Sequence, residues 1–373
     1  MKSKHLRDIS KSKLNVYYAR AMDAIDRYRI IEDDKLVKTE LARREFSTVN
    51  PYVERVIQIE QANQIVKNNL GLLKKSNVLL ANLSIQNYTY IGVVFEIVQA
   101  AKLGIPIIAY IGESNLSNRY YLHAFCDFIC NTIDEAVEYI WRCWTFEGII
   151  EQIKEEKEFY DTIATQPGKT TRKPYKNKEQ DIDRYKKERA QLRNTLRDYC
   201  RDKNVLELGC GTGEWTKVIA EVAKSVICIE SSLNMIKRAK ERLGTSPIQP
   251  DFIHGDFFDE TLSIKACDVI VSYFTLSFLP PLAQNELLSI MKKFVHEDGF
   301  FLFGESIQVS ALPSIGLGRQ RIQTRKACGK KYTIYKEHFD PYHFQKVLAL
   351  NDFKIIDLPF DVKWFIFCSA QLK

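Results

Sequence analysis

Three closely spaced glycines follow an apolar, strand-like run and precede a helical pattern in the second half of this sequence. Gly209, Gly211 and Gly213 stand in VLELGCGTGEW, which covers residues 205–215. Glycine lets backbone amides approach a ligand closely, and the following helix N-terminus offers unpaired N–H groups. The spacing G-x-G-x-G differs from the G-x-G-x-x-G of dinucleotide folds, and the Gly-Lys-Ser/Thr ending of a P-loop is missing. The run therefore predicts a nucleotide-binding loop of another kind.

An acidic residue follows this loop at the distance expected for a ribose contact. The apolar run Ser225–Ile229 is followed by Glu230. Doubly wound folds present an acid to a ribose diol about 20 residues past the glycine loop. Together with Glu207 and the glycines, Glu230 resembles the class I methyltransferases that bind S-adenosylmethionine. The resemblance covers about residues 185–373. It implies a seven-stranded class I methyltransferase fold with S-adenosylmethionine as the cofactor.

The same resemblance implies a set of cofactor-binding residues. The sequence His-Gly-Asp-Phe at 254–257 is similar to the family's adenine-contacting turn, which implies Asp256 at the exocyclic amine and Phe257 beside the ring. Residues 268–274 and 299–304 are similar to its fourth and fifth strands. The residues implied to bind the cofactor are Glu207, Gly209, Cys210, Gly211, Gly213, Glu230, Ser231, Asp256, Phe257 and Tyr273.

Methyl transfer from a sulfonium is an in-line displacement, so the protein must align the acceptor and take a proton from an alcohol or ammonium acceptor. Tyr273 is the catalytic candidate near the acceptor, and His338 and His343 are candidate bases with capping or packing as the alternative. The segment 312–335 interrupts the expected alternation of helices and strands, as acceptor-capping loops do. Its candidates for binding a phosphate or carboxylate are Arg319, Arg321, Arg325, Lys330 and Lys331. The alternative is a solvated basic loop.

The first half of the chain places a glutamate early in a predicted helix that follows a buried strand. Residues 14–19, 77–82 and 105–111 are apolar runs that predict strands, and Gly92 stands at the entrance of the helix that contains Glu96. In an α/β sheet this position lies beside the carboxyl ends of the strands, where such sheets bind ligands. A carboxylate there is a candidate nucleophile or a stabiliser of a cationic sugar.

The order of strand, polar turn, G-x-x-x-E helix, Leu-Gly-x-Pro and strand resembles the nucleoside 2-deoxyribosyltransferases over about residues 13–141. The resemblance implies that Glu96 is the nucleophile and that Tyr17 lines the sugar site as a catalytic partner. Where the family carries an acid, an Asp and a glycine, this chain carries Tyr90, Asn77 and Arg20. Asn77 and Arg20 are then candidates for substrate binding, with Arg20 meeting a phosphate. The alternatives are a domain that binds without cleaving and a structural role for Glu96.

These motifs require two α/β domains, and the chain is long enough to hold them. It has 373 residues, of which 45% are hydrophobic and 27% charged. We expect a flavodoxin- or Rossmann-like deoxyribosyltransferase-type sheet over residues 1–150, a helix and charged linker over 151–184, and the methyltransferase fold over 185–373. Nine cysteines without a C-x-x-C pair favour reduced packing residues, and no metal site is predicted.

Composition also limits the compartment and the partners. No apolar stretch approaches the roughly 20 residues that span a bilayer, and MKSKHLRDISKSK lacks an apolar signal core. We therefore expect a cytoplasmic protein without a membrane partner. The net charge is +7, and residues 165–203 are basic, with Pro167, Gly168 and Pro174 marking a linker and a helix beginning near Gln180. This basic character indicates a solvated face, with nucleic-acid binding as the less favoured alternative.

The sequence thus predicts an S-adenosylmethionine-dependent methyltransferase of a small molecule, related to a nucleoside or nucleotide, with an N-terminal domain that processes an N-glycoside or binds a nucleotide. One alternative is an RNA-modifying methyltransferase whose N-terminal domain is a non-catalytic binding module. Another is a regulatory N-terminal domain that senses a nucleotide-like signal. Homo-oligomerisation through the N-terminal domain is a further hypothesis. The residues do not identify the methyl acceptor.

Overall fold

The structure, a computed structural model, describes residues 13–21, 25, 27–51, 62–166, 179–259, 261–307, 314–315, 319–359 and 361–373. These residues belong to two structural units. The N-terminal unit contains the described residues of Asp8–Gly148 and Ser314–Ile322. The C-terminal unit contains those of Ile149–Pro313 and Gln323–Lys373.

Strands and helices alternate along the described chain. The strands are β1 Asn15–Arg20, β2 Ser47–Val49, β3 Val78–Asn82, β4 Ile107–Tyr110, β5 Phe128–Cys130, β6 Asn204–Leu208, β7 Ser225–Glu230, β8 Asp251–His254, β9 Cys267–Tyr273, β10 Val295–Ser306, β11 Ser314–Ile315, β12 Gln320–Ala327, β13 Lys330–Glu337, β14 Phe353–Asp357 and β15 Phe365–Leu372. The α-helices are α1 Arg27–Arg43, α2 Ala62–Lys74, α3 Ile91–Leu103, α4 Tyr120–Phe125, α5 Ile133–Trp144, α6 Phe146–Ala164, α7 Glu179–Cys200, α8 Glu214–Ala220, α9 Leu233–Leu243, α10 Pro281–Met291 and α11 Pro341–Leu350.

The N-terminal unit contains a five-stranded sheet in the order β2-β1-β3-β4-β5, with all neighbours parallel. Its central strands are continuous apolar runs, such as Val78–Asn82, because a sheet covered on both faces buries both sides of each strand. The strand order reverses between β1 and β3, and the crevice outside the carboxyl ends of these strands is the usual ligand position. Helix α3 begins at this edge, directly after β3.

The C-terminal unit contains a seven-stranded sheet in the order β14-β15-β10-β9-β6-β7-β8. Strand β15 is antiparallel to β10 and β14, and the other neighbouring pairs are parallel. The order reverses between β6 and β9, so this sheet also offers a crevice at the carboxyl ends of its central strands. The glycine loop follows β6 and lies at that crevice.

Most of the predicted elements are confirmed, with ends that differ by a few residues. The runs 14–19, 77–82 and 105–111 are β1, β3 and β4, and the helix expected near Gln180 is α7. The runs 225–229, 268–274 and 299–304 are strands β7, β9 and β10.

Two features of the chain differ from the sequence-based expectations. Residues of α6 from Ile149 onward belong to the C-terminal unit, whereas the sequence predicts a helix and charged linker between the domains over 151–184. The segment 312–335 contains a β-hairpin, since β12 and β13 are joined by Cys328 and Gly329 with φ of 46° and 78°. Positive φ at both positions is the conformation of a type I′ two-residue hairpin turn. The linker residues Pro167, Gly168 and Pro174 lie outside the described residues.

The cysteines have the environment of packing residues. All nine cysteines are free thiols, and every one except Cys328 is buried, as packing residues are. In the described part of the chain, no group of three or more His, Cys, Asp or Glu side chains could hold a metal ion. The helices of that part are all too short or too polar to cross a membrane.

Candidate functional site

The glycine loop of the C-terminal unit has a backbone that only glycine adopts readily. Gly209, Gly211 and Gly213 have φ of 71°, 53° and 74°. Two of these glycines are also required by close packing, because a Cβ on Gly209 would lie 2.8 Å from Thr275 Oγ1, and one on Gly213 would lie 2.8 Å from Ala239 Cβ. The loop therefore turns sharply from β6 into α8 and is held against neighbouring elements.

Gly211 is a glycine for a different reason. A Cβ at this position would meet no atom within 4 Å, so the loop leaves open space here. The Gly211 N–H donates to Glu230 Oε2 at 2.9 Å, and the Ser232 N–H donates to Glu230 Oε1 at 3.0 Å. These bonds fix the carboxylate at the carboxyl end of β7, beside the open side of the loop. Burial raises the pKa of Glu230.

The turn after β8 supplies an acidic and an aromatic residue to the same site. Asp256 Oδ1 accepts a hydrogen bond from the Phe258 N–H at 3.0 Å, which holds the turn. The Phe257 ring packs on Phe258 with centroids 4.8 Å apart. Asp256 and Phe257 line one cavity of about 440 Å³ together with the glycine loop and Glu230. That volume lies within the range of small-molecule and cofactor sites.

Family comparison agrees with this geometry. Residues 205–299 match the family model described as a methyltransferase domain. A carboxy-S-adenosyl-L-methionine synthase from Nautilia profundicola is 32% identical over 118 residues, which are 31% of this chain and 48% of the relative. An uncharacterized methyltransferase from Geobacillus thermodenitrificans is 33% identical over 102 residues, 27% of this chain and 46% of the relative. The matches thus span about half the length of these curated relatives.

Residues 205–299 form a class I S-adenosylmethionine-dependent methyltransferase domain. Its cofactor is S-adenosylmethionine. The residues present fit this group, because the open space at Gly211 admits a ligand against the loop backbone and the Glu230 carboxylate stands beside it. A solved structure described as a DhpI–SAH complex covers 60% of this chain and 98% of its own, with 19% identity and a TM-score of 0.47.

The structure places most of the predicted cofactor-binding residues around the cavity of the methyltransferase domain. Those that line it are Gly209, Cys210, Gly211, Glu230, Ser231, Asp256, Phe257 and Tyr273. Glu207 and Gly213 are not among the lining residues. Glu207 is buried on β6, where its Oε2 accepts from Cys228 Sγ at 3.5 Å, and burial raises its pKa to about 7. Both residues therefore support the loop on the side that does not face the cavity.

Tyr273 was predicted to be catalytic, and its environment argues against that role. It is 5% exposed, and its ring lies 5.4 Å from that of Trp215 and directly against Gly304, where a Cβ would come within 2.9 Å. Burial raises its pKa well above the ordinary value, so the phenol stays protonated and cannot accept the acceptor's proton. We correct its role to that of a wall of the cavity.

Two further residues of the cavity, which the sequence did not predict, come from helix α7. Tyr185 and Arg189 are spaced i,i+4, which puts both on one face of the helix. The Arg189 Nη1–H donates to Tyr185 Oη at 2.8 Å, Arg189 is ion-paired with Glu214, and its guanidinium lies 5.6 Å from the Trp215 ring centroid. The spacing of these two residues on an otherwise charged helix is the sequence signal that would have identified them.

The predicted basic residues of segment 312–335 divide between the two units. Arg325 lines the cavity of the methyltransferase domain, whereas Arg319 and Arg321 do not. Arg319 belongs to the N-terminal unit and forms an ion pair with Asp127 at 3.0 Å. Arg321 also belongs to that unit, and burial lowers its pKa. The assignment of Arg319 and Arg321 to the methyl acceptor therefore stays a prediction, which the lining of this cavity does not support.

The two histidines near α11, His338 and His343, are packed against other residues and lie outside the cavity. His343 Nε2 lies 2.7 Å from Glu337 Oε1, and its ring stacks on Phe339 with centroids 5.5 Å apart. His338 is 6% exposed. The cavity of the methyltransferase domain is lined by neither residue. The environments of both histidines favour a packing role over that of a catalytic base.

The N-terminal unit has its own cavity, of about 220 Å³, at the start of helix α3. Glu96 lines it, and the Tyr17 hydroxyl donates a hydrogen bond of 2.5 Å to Glu96 Oε1. Burial raises the pKa of Glu96 to about 7, against the lowering effect of its hydrogen bonds from Tyr17 and Asn69. Burial also raises the pKa of Tyr17, so this phenol acts as a donor that positions the carboxyl.

Arg20 lines this cavity as well, but its charge already has a partner. Its Nη1 lies 2.6 Å from Asp34 Oδ1 and donates to the Ile30 carbonyl at 2.7 Å. A phosphate would therefore compete with Asp34 for the guanidinium. Tyr90 has φ of 52°, and its hydroxyl donates to the Ile85 carbonyl at 2.9 Å.

The structure removes Asn77 from the candidate site. Asn77 precedes β3 at its amino end, whereas Glu96 and the cavity lie at the carboxyl ends of the strands. Its Oδ1 accepts a hydrogen bond from the Asn15 N–H at 2.8 Å, which ties β1 to the start of β3. The prediction that Asn77 binds substrate is corrected to this structural role.

Proposed function

We propose that this protein is an S-adenosylmethionine-dependent methyltransferase that acts on a small molecule related to a nucleoside or nucleotide. The observation that carries the methyltransferase part is the meeting of the glycine loop, Glu230, Asp256 and Phe257 in one cavity. The relatives' names support this part, since they include a methyltransferase and a carboxy-S-adenosyl-L-methionine synthase. The nucleoside part rests on the N-terminal unit and its resemblance to deoxyribosyltransferases.

Calorimetric titration of the full chain with S-adenosylhomocysteine tests the cofactor site. We expect binding by the wild type and its loss in Gly211→Val, because the valine side chain would fill the open space beside the loop. The matched control is Gly104→Val, since Gly104 also has positive φ and open space around its Cβ position but belongs to the N-terminal unit. Equal binding by Gly211→Val and wild type would remove the assigned loop from the cofactor site.

We propose, as a second function, that the N-terminal unit processes an N-glycosidic bond through Glu96. The short hydrogen bond from Tyr17 to Glu96 favours this function, because it positions a carboxyl group that lines the cavity. A carboxylate placed beside an anomeric carbon either captures or stabilises the cationic sugar.

A panel of nucleosides and nucleotides, with free base measured by chromatography, tests the second function. We expect base release by the wild type and its loss in Glu96→Ala. The control is Glu113→Ala, which changes a glutamate of the same unit that does not line the cavity. Release that is equal in wild type and Glu96→Ala, or absent from both, would leave the N-terminal unit as a binding module.

A further inference from the structure

The cavity of the C-terminal unit has a second charged region, formed by residues other than those predicted to bind the cofactor. Glu156, Arg325 and Lys336 line it together with the aromatic residues Phe159 and Phe278. The Arg325 guanidinium lies 5.4 Å from the Phe278 ring centroid, and Lys336 Nζ lies 4.1 Å from the same centroid. One aromatic ring thus holds both cations at the same part of the cavity.

Both cations come from the β12–β13 hairpin and are fixed by neighbouring polar groups. The Nε–H and Nη2–H groups of Arg325 donate to Gln323 Oε1 at 3.2 and 2.8 Å. Within the described residues Arg325 Nη1 makes no hydrogen bond, so this part of the guanidinium is open to a ligand. Lys336 is only 1% exposed and donates to Ser277 Oγ.

Glu156 on helix α6 adds a carboxyl to the same region. It is 7% exposed, and its Oε1 has no hydrogen-bond partner among the described residues. Burial raises its pKa, while the charges of Arg325 and Lys336 act in the opposite direction. A buried carboxyl oxygen without a partner is costly unless a ligand supplies a donor.

Helix α6 is hydrogen-bonded to other elements of the C-terminal unit at two places, so Glu156 has a defined position. The Gln152 Nε2–H donates to the Thr333 carbonyl at 2.8 Å. Near the end of the helix, Asp161 accepts hydrogen bonds from Ser232 Oγ at 2.6 Å and Asn234 Nδ2 at 3.0 Å. These bonds join the helix to the hairpin on one side and to the start of α9 on the other.

We propose that Arg325, Lys336 and Glu156 form the acceptor subsite, and that the acceptor carries a carboxylate or phosphate held by the two cations and a hydrogen-bond donor that meets Glu156. Two cations against one carboxyl leave a positive surplus that favours an anion, and a guanidinium fork is suited to both carboxylate and phosphate. The donor is the hydroxyl or amine group of the acceptor. This subsite rests on the proposed methyltransferase function.

The experiment measures anion binding to the full chain already saturated with S-adenosylhomocysteine. Inorganic phosphate, lactate and propionate are titrated separately, with calorimetry and tryptophan fluorescence as readouts, since one of the four tryptophans, Trp215, lines the cavity. Phosphate distinguishes the phosphate from the carboxylate form of the acceptor. Lactate and propionate share a carboxylate, but only lactate adds a hydroxyl donor.

We expect the wild type to bind phosphate or lactate, and to bind lactate more tightly than propionate. Arg325→Gln should lower the affinity for every anion that binds by about tenfold or more, because it removes a charge-assisted contact. Lys336→Met should weaken anion binding to a similar extent if the variant folds. If it does not fold, Arg325→Gln alone tests the contribution of the cations. Glu156→Ala should abolish the preference for lactate over propionate. Lys326→Gln, on the same strand but outside the cavity lining, should behave as wild type.

The outcomes separate this inference from the proposed function. Absence of S-adenosylhomocysteine binding would overturn the methyltransferase function, and the acceptor subsite with it. S-adenosylhomocysteine binding together with no anion binding, or with equal anion binding by wild type and Arg325→Gln, would overturn the subsite alone. A lactate preference that persists in Glu156→Ala would remove Glu156 from it.

Discussion

The loop glycines should respond differently to the same substitution, and the difference can be worked from the structure. In Gly213→Ala the new Cβ would lie 2.8 Å from Ala239 Cβ and 2.9 Å from Ala239 Cα. The Cα belongs to the backbone of helix α9, so it cannot move aside as a flexible side chain can. In Gly211→Ala the new Cβ meets nothing within 4 Å. Both positions have positive φ.

Left-handed backbone costs an L-residue about 1–2 kcal/mol, and both variants incur this cost. Overpacking adds about 1–3 kcal/mol in Gly213→Ala only. The free energy of unfolding should therefore fall by about 2–5 kcal/mol in Gly213→Ala and by about 1–2 kcal/mol in Gly211→Ala. The difference corresponds to roughly 2–12 °C in the unfolding midpoint of a unit of this size.

Thermal unfolding followed by calorimetry, with S-adenosylhomocysteine affinity measured below the transition, is the assay. Gly213→Ala should lower the unfolding midpoint more, whereas Gly211→Ala should mainly lower the affinity for S-adenosylhomocysteine. A double-mutant cycle with Ala239→Gly should show a coupling of about 0.5–3 kcal/mol, because that change removes the nearest clashing atom. Equal midpoints for Gly213→Ala and Gly211→Ala would refute the packing argument.

Three further predictions concern buried charges. Burial raises the pKa of Glu207 from 4.5 to about 7, so between these pH values the folded protein binds more protons than the unfolded chain, and stability falls as pH rises through this window. Glu207→Gln should therefore raise the free energy of unfolding at pH values above this window and leave it nearly unchanged at pH values below it. Tyr17→Phe removes a hydrogen bond that lowers the pKa of Glu96, so carbon NMR of the Glu96 carboxyl should report a pKa above that of the wild type. Arg319→Ala should destabilise the N-terminal unit through loss of the Asp127 ion pair, while calorimetry shows unchanged S-adenosylhomocysteine affinity.

The cofactor side of the site could be predicted from the sequence because local chemistry determines it. Glycines with positive φ, an acid at the end of the next strand and the Asp256-Phe257 turn act through backbone geometry and short spacings along the chain. A parallel sheet then brings these segments to one edge, since the carboxyl ends of its strands lie together. No knowledge of distant packing is needed for that step.

Asn77 shows where this local reasoning fails. The residue stands beside a correctly predicted strand, but at its amino end, where its amide caps a neighbouring strand instead of facing a ligand. Tyr273 fails in another way. Its position after an inner strand indicates the site, but only the packing of Trp215 and Gly304 shows that the phenol is buried and stays protonated.

The proposed acceptor subsite could not be predicted from the sequence, because segments far apart in the chain form it. Glu156 precedes the glycine loop by more than fifty residues, and Arg325 and Lys336 follow it by more than a hundred. As sequence, α6 is a charged helix next to a linker, and nothing in its spacing separates the buried Glu156 from the exposed Lys157 beside it. The bonds of Gln152 to the β12–β13 hairpin and of Asp161 to the residues at the start of α9 show which face of α6 is buried. Cofactor recognition in this chain is thus encoded locally, whereas acceptor recognition depends on which outer elements pack against the sheet.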